Sequence, residues 1–200
     1  MSEAGAQKAQ MRAELLRARR GLTADERQAA SAALAKRVRD LRDFPVGGTV
    51  AAYVSMGAEP GTRQLIDSLR QSGTRVLLPV LLADNDLDWA EYGGPEALER
   101  TSRGLLEPVG PRLGPTAVTA AHAVLLPGLA ADRHGVRLGR GGGSYDRALS
   151  RIQESGSDGA RPALMVLLYA HEVVPRVPRE LHDHLVDAAV TPDAVHRFTS

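Results

Sequence analysis

"AVLLPGLAADRHGVRLGRGGGSYDRAL", residues 123–149, changes character twice along its length. It opens as "AVLLPG", 123–128, a continuous apolar run of the kind that forms a strand buried on both faces. Residues 137–147 then hold three arginines (Arg137, Arg140, Arg147), four glycines (Gly139, Gly141, Gly142, Gly143), Tyr145 and Asp146. Tyr145, Leu149 and Ile152 follow at helical spacing, which predicts a helix beginning inside the glycine-rich stretch. Strand, loop and helix in that order form the unit of a parallel sheet. Such sheets bind ligands where strands end and loops lead into helices.

The same alternation runs through the rest of the chain. Helices are predicted over 8–20 and 24–43, the second opened by Thr23 and Glu26 as a capping box. Thr62 is expected to cap a third helix carrying Leu65, Ile66 and Leu69, with Gly73 ending it. Strands are predicted over 49–55, 75–82, 163–169 and 186–191, with "LDWAEY", 87–92, as a further candidate. Pro79 marks an edge or a strand end. Residues 93–116 are rich in Gly and Pro and read as a long surface loop. The expectation is one α/β domain over 1–200: a three-layer α/β/α sandwich with a mostly parallel central sheet, the first two helices packed on its outside.

Composition narrows the function classes. Two hundred residues suffice for one well-buried core, and with aromatics at 4% that core must be built from Ala, Val and Leu. A net charge of +1 supplies no global field for nucleic acid or an anionic membrane, so neither is expected as a partner. The absence of cysteine excludes disulfides and thiolate chemistry. The first twenty residues do not resemble a signal peptide, and no run of about 18 apolar residues occurs. The expected setting is the cytoplasm.

The glycine-rich loop carries the chemistry. Successive glycines let several amides converge on one anion, and the following helix start adds its positive end. Arg137, Arg140 and Arg147 offer forked donors to phosphate oxygens. Asp146 is repelled by phosphate unless a divalent metal lies between them, and Mg²⁺ takes one or two carboxylates plus phosphate oxygens. The composition therefore points to a nucleoside triphosphate with Mg²⁺. It is not a P-loop, since no Lys-Ser/Thr follows the glycines, and Ser144 breaks the dinucleotide pattern begun by Gly139 and Gly141. The plainer alternative is a flexible loop whose arginines make surface ion pairs.

"LLPGLAADRHGVRLGRGGGSYDRAL", 125–149, resembles the signature segment of the 5-formyltetrahydrofolate cyclo-ligase family. Four other stretches resemble that family in the same order: "KAQMR" (8–12), "AAYVSMGAEPGTRQLI" (51–66), "GLLEP" (104–108) and "VPRELHDHLVDAAVT" (177–191). The resemblance implies conversion of 5-formyltetrahydrofolate to 5,10-methenyltetrahydrofolate, using ATP and Mg²⁺ and releasing ADP and phosphate. The formyl oxygen would take the γ-phosphoryl group, and the folate's own amine at position 10 would then attack. It implies an N-terminal ATP-binding pair, Lys8 and Arg12, and an ATP loop of Arg137, Leu138, Gly139, Arg140, Gly141, Gly142, Gly143, Ser144 and Tyr145. Arg140 to Ser144 would also face the folate, Met56 and Glu59 would bind it, and Asp146 and Asp183 would hold Mg²⁺. Arg140 and Tyr145 would be catalytic.

Two departures stand out: Ser144 replaces the first of two tyrosines usual in the family, and Ala131 replaces a phenylalanine. They keep two alternatives open, a non-catalytic nucleotide- or folate-binding relative and an ATP-dependent ligase or kinase for a smaller substrate. The resemblance implies a monomer and leaves any polyglutamate preference open. His182, Asp183 and His184 lack a further cluster of suitable spacing, so Asp183 reads better as a Mg²⁺ carboxylate than as part of a transition-metal site.

Overall fold

The continuous apolar runs become the middle of a seven-stranded sheet. The computed structural model describes residues 2–41, 47–155, 161–180 and 183–198. The chain opens with α1 (Glu3–Gly21) and α2 (Ala24–Arg39). Next come β1 (Thr49–Ala51), α3 (Arg63–Gln71), β2 (Arg75–Leu81) and β3 (Leu87–Glu91). A hairpin of β4 (Leu98–Arg100) and β5 (Leu106–Pro108) precedes β6 (Ala123–Pro127). Then follow β7 (Ala130–Asp132), β8 (Arg137–Leu138), α4 (Ser144–Ser155) and β9 (Ala163–Leu167). The chain closes with β10 (Val173–Val174), β11 (Ala188–Val190) and β12 (Val195–Arg197).

The central sheet runs β12-β11-β9-β6-β1-β2-β3. Its five inner strands are parallel, and only the edges β12 and β3 pair antiparallel. Alternate side chains leave each strand on opposite faces. Val50, Leu125, Met165 and Val190 meet α2 and α3 through Leu34, Val38, Leu65 and Ile66. Ala51, Val124, Val166 and Ala189 meet α4 through Ala148, Leu149 and Ile152. Each fully buried leucine contributes about 1.5–3 kcal/mol of transfer free energy. The expected three-layer sandwich is thus formed, and its glycine-rich loop leads into α4 beyond the carboxyl end of β6. Among the described residues no helix is long and apolar enough to cross a membrane.

Several local expectations are corrected. Helix α1 starts five residues early because Ser2 caps it, its hydroxyl accepting the Gly5 N–H at 3.1 Å. It packs not on the main sheet but on a second sheet, β10-β7-β8, where Leu15 meets Leu129, Ala130, Val136, Leu138 and Val177. Thr62 does not cap α3: its hydroxyl donates to the Tyr53 carbonyl at 2.6 Å and accepts the Ser55 N–H at 2.9 Å, closing the turn after β1. Residues 93–116 are not a bare loop but contain the β4–β5 hairpin. The antiparallel edge β12 follows the strand that was expected to be last. The predicted end of the second helix, at 42–43, lies outside the described residues. The capping box is present as expected, with Thr23 N–H on Glu26 Oε2 at 2.7 Å and Glu26 N–H on Thr23 Oγ1 at 3.2 Å.

Helix α4 is fastened to the β2–β3 turn. Arg151 forms a two-pronged pair with Asp86, which also accepts the Leu87 N–H at 2.8 Å. The Arg151 hydrogen bonds hold the Asp86 carboxyl below its ordinary 3.8. A lowered folded-state pKa contributes stability above 3.8 that is lost as the pH falls through the folded value. Asp86→Asn is expected to cost about 1–3 kcal/mol at neutral pH. That deficit should narrow below pH 3.8, as urea denaturation at both pH values would read.

Candidate active site

The loop is aimed by a buried carboxylate. Asp132, 1% exposed, accepts the N–H groups of His134 at 2.9 Å, Val136 at 3.1 Å and Val177 at 3.0 Å. This turns the chain back after β7, so that the Leu138 carbonyl meets the Leu129 N–H at 2.7 Å. The glycines then leave β8 beside the end of β6. Gly141 (φ +94°) and Gly143 (φ +76°) both occupy the left-handed region that glycine enters without steric cost. Among the described residues the amides of Gly141, Gly142 and Gly143 meet no protein acceptor. They stand immediately before α4, whose first three amides, Ser144 to Asp146, precede the first intrahelical bond, from the Arg147 N–H to the Gly143 carbonyl at 3.2 Å. Converging amides at a helix start make an anion site.

The arginines of the loop divide into two kinds. Arg137 lies beneath it, 8% exposed, donating to the Pro127 carbonyl at 2.9 Å and to Asp146 Oδ1 at 2.9 Å. Its Nε is buried without a partner, and burial pulls its guanidinium below the usual arginine range against the attraction of Asp146. Arg137 therefore ties the end of β6 to α4 rather than standing free in solvent. Arg140 is half exposed and reaches Glu59 Oε1 at 3.2 Å. Arg147 points instead to Asp84, donating to its carbonyl at 2.9 Å.

Helix α1 reaches the loop as well. Arg12 Nε donates to the Gly139 carbonyl at 2.8 Å, and its guanidinium lies 3.5 Å from where a side chain on Gly141 would begin. One turn earlier Lys8 is 5% exposed. Its ammonium meets Asp183 at 2.7 and 2.8 Å and Glu180 at 2.9 Å. Those carboxylates raise its pKa in spite of burial, which works the other way. Glu180 was missed from the sequence; its only signal was a position three residues before Asp183.

A cavity of about 280 Å³ opens beside the loop. Its walls are Tyr53, Val54, Met56 and Glu59 after β1, Pro79, Leu81 and Leu87 from β2–β3, Leu105 to Glu107 from the β4–β5 hairpin, and Gly139 to Asp146. Glu59 is aimed by its own turn, Oε2 accepting the Met56 N–H at 2.8 Å. Tyr145 lines the cavity, and burial pushes its phenol up, so it remains an O–H donor at neutral pH. Ser144 also lines it, so the missing tyrosine thins the cavity wall. Ala131 instead lies within the core under α4, where the missing phenylalanine is a packing change. The side chain of Leu138 is buried against the α1 cluster, which leaves its backbone for the loop.

The two aspartates expected to hold Mg²⁺ are placed differently. Among the described residues no three acidic or histidine side chains gather around one point. Asp146, 51% exposed at its side chain, gives Oδ1 to Arg137 and leaves Oδ2 without a protein donor at the cavity. One such carboxylate with phosphate oxygens fits magnesium's preference. Asp183 does not line the cavity; both its oxygens take Lys8, and Oδ2 also takes the Glu180 N–H at 2.6 Å. His184 donates to or accepts from Ser150 at 3.0 Å, while His182 lies outside the described residues.

The sequence and the fold have known counterparts. The 5-formyltetrahydrofolate cyclo-ligase family model matches residues 4–192. The 5-formyltetrahydrofolate cyclo-ligase of Mycolicibacterium smegmatis is 37% identical over 92% of this chain and 93% of its own length. That of Escherichia coli K12 is 30% identical over 88% of this chain and 96% of its own. The solved structure of Aquifex aeolicus 5,10-methenyltetrahydrofolate synthetase superposes with a TM-score of 0.80 at 28% identity, covering 96% of this chain and 93% of that one. With the fold and nearly the whole length in common, this chain belongs to the 5-formyltetrahydrofolate cyclo-ligase family.

Proposed function

We propose that this chain converts 5-formyltetrahydrofolate to 5,10-methenyltetrahydrofolate with ATP and Mg²⁺, releasing ADP and phosphate. The observation that carries the reading is the Arg140–Glu59 contact at 3.2 Å. It joins a loop built for phosphate to a largely apolar cavity that suits a pterin ring. A formamide oxygen is a poor leaving group. Transfer of the γ-phosphoryl group to it makes it a good one. The folate amine at position 10 then attacks the formyl carbon and loses its proton, and the C–O bond breaks as phosphate leaves with its electron pair.

The protein's part is positioning and charge neutralisation. The amides of Gly141, Gly142 and Gly143 and the first turn of α4 hold the phosphates. Arg140, freed to swing from Glu59, neutralises charge on the transferring group. The Tyr145 phenol donates to an oxygen at the reacting centre. Glu59 accepts from the amide-like N–H edge of the pterin, and Met56 supplies apolar contact. Asp146 would hold the metal, which when bound would supply neutralisation of phosphate oxygens. Arg12 braces the loop from α1. Lys8 and Asp183 are each other's counter-ion, with Glu180 as a second partner of Lys8; they would serve phosphate and metal respectively only by parting from each other.

The test is the rise of methenyltetrahydrofolate absorbance on mixing 5-formyltetrahydrofolate, ATP and Mg²⁺ with the protein. Multiple turnovers, abolished by a chelator and restored by excess Mg²⁺, are expected. Folded protein that binds ATP by calorimetry but never turns over would reject the reading in favour of a binding relative.

A further inference from the structure

Three carboxylates line the cavity, and two of them face a cation: Glu59 faces Arg140 and Asp146 faces Arg137. The third, Glu107, faces none among the described residues. Its Oε1 accepts the Leu81 N–H at 3.0 Å, and its Oε2 meets no protein donor among the described residues. The reason for this placement lies in the sheet. Pairing of β1 with β2 stops at Leu77, whose carbonyl takes the Ala52 N–H at 2.8 Å. By the strand's period of two, Pro79 and Leu81 present their backbone on that same, now unpaired, side. Pro79 has no N–H to satisfy there. Leu81 has one, and Glu107 takes it.

Glu107 thus carries an uncompensated charge in a wall otherwise formed by Pro79, Leu81, Leu87, Leu105 and Leu106. The hydrogen bond from the Leu81 N–H fixes this carboxylate in place, so its second oxygen faces the cavity as a pre-aimed acceptor. We propose that Glu107 determines substrate specificity, its free oxygen accepting a hydrogen bond from an N–H donor of the reduced pterin ring. This rests on the folate reading above. It adds a second carboxylate to Glu59, held rigid by the backbone of β2 where Glu59 is held by its own turn. With the ring amide N–H assigned to Glu59, the donors left on such a ring are the 2-amino group and the N–H at position 8. A ligand lacking them leaves Glu107 unpaired.

The test uses Glu107→Gln, whose amide oxygen still accepts the Leu81 N–H. Calorimetry with 5-formyltetrahydrofolate and, separately, with Mg²⁺-ATP reads both subsites. The folate Kd is expected to rise about tenfold, as for loss of a hydrogen bond to a charged group, with the nucleotide Kd and Tm unchanged. The cycle is completed with 2-desamino and 8-deaza analogues of the substrate. At least one should bind about tenfold more weakly than the substrate to the unaltered protein, yet with little penalty to Glu107→Gln. This ratio is independent of the fraction of protein that is active. Equal folate affinity in both proteins, a parallel loss of nucleotide affinity, or analogue penalties that the substitution leaves unchanged would each overturn the role of Glu107. Failure of the unaltered protein to bind 5-formyltetrahydrofolate at all would instead overturn the folate reading, and this inference with it.

Discussion

Arg140→Ala is expected to lower kcat/KM by about 10²–10³-fold, the usual effect of removing one donor aimed at developing charge. The fold should survive, because Arg140 is half exposed and its ion pair with Glu59 is a single 3.2 Å contact. Most of the loss should fall on kcat, since on the proposed mechanism the charge that Arg140 would neutralise grows as the phosphoryl group transfers. A smaller rise in KM for folate should accompany it, because Glu59 loses its partner. Arg140→Lys should recover only part of the rate, as a point charge replaces a planar fork. Steady-state assays with a parallel circular-dichroism melt check this. Unchanged kinetics in a folded variant would remove Arg140 from the reaction.

Glu172→Gln is expected to cost about 3–5 kcal/mol of stability, the range for stranding one partner of a buried ion pair. Arg19 and Glu172 are 1% and 0% exposed at their side chains and pair through two bonds, 2.6 and 2.8 Å. Burial opposes the charge on Arg19, and the Glu172 carboxylate more than offsets it. Glu172 also accepts the Tyr169 N–H at 2.9 Å, and the Arg19 guanidinium lies 5.6 Å from the centre of the Tyr169 ring. Arg19 Nη2 donates to the Gly128 carbonyl at 2.6 Å, and Gly128 is part of the cavity wall. The pair therefore pins α1, which carries Lys8 and Arg12, to the end of β6. One buried nitrogen, Arg19 Nη1, has no acceptor, so the cluster is not fully satisfied. Replacing both partners with Arg19→Met and Glu172→Leu should accordingly cost less than either single change. Urea denaturation of the singles and the double reads this directly, and a double variant as unstable as the sum would refute it.

The sandwich was legible because buried parallel strands have a local signature. Runs such as 123–128 and 163–169 are apolar throughout, and each is followed by a break and a helix pattern. The capping box at Thr23 and Glu26 was legible for the same reason, as its partners lie three residues apart. The β4–β5 hairpin was not, since three-residue strands between glycines and prolines show no periodicity. Thr62 carried a capping residue's chemistry, but a carbonyl nine residues away claimed its hydroxyl. Helix α1 could not be placed, because its buried side chains include Lys8 and Arg19, which no hydrophobic pattern marks as inward-facing.

By itself the sequence determined the loop's capacity to bend at Gly141 and Gly143, the helix start behind it and the apolar strands that carry it. These depend on φ freedom, capping and short-range periodicity, all set within a few residues. Only the tertiary structure decided which charge answers which: Lys8 with Asp183, Arg19 with Glu172, Arg140 with Glu59, and Glu107 with no cation among the described residues. Coulombic partners are chosen by distance in space, and the first two of these pairs lie 175 and 153 residues apart along the chain.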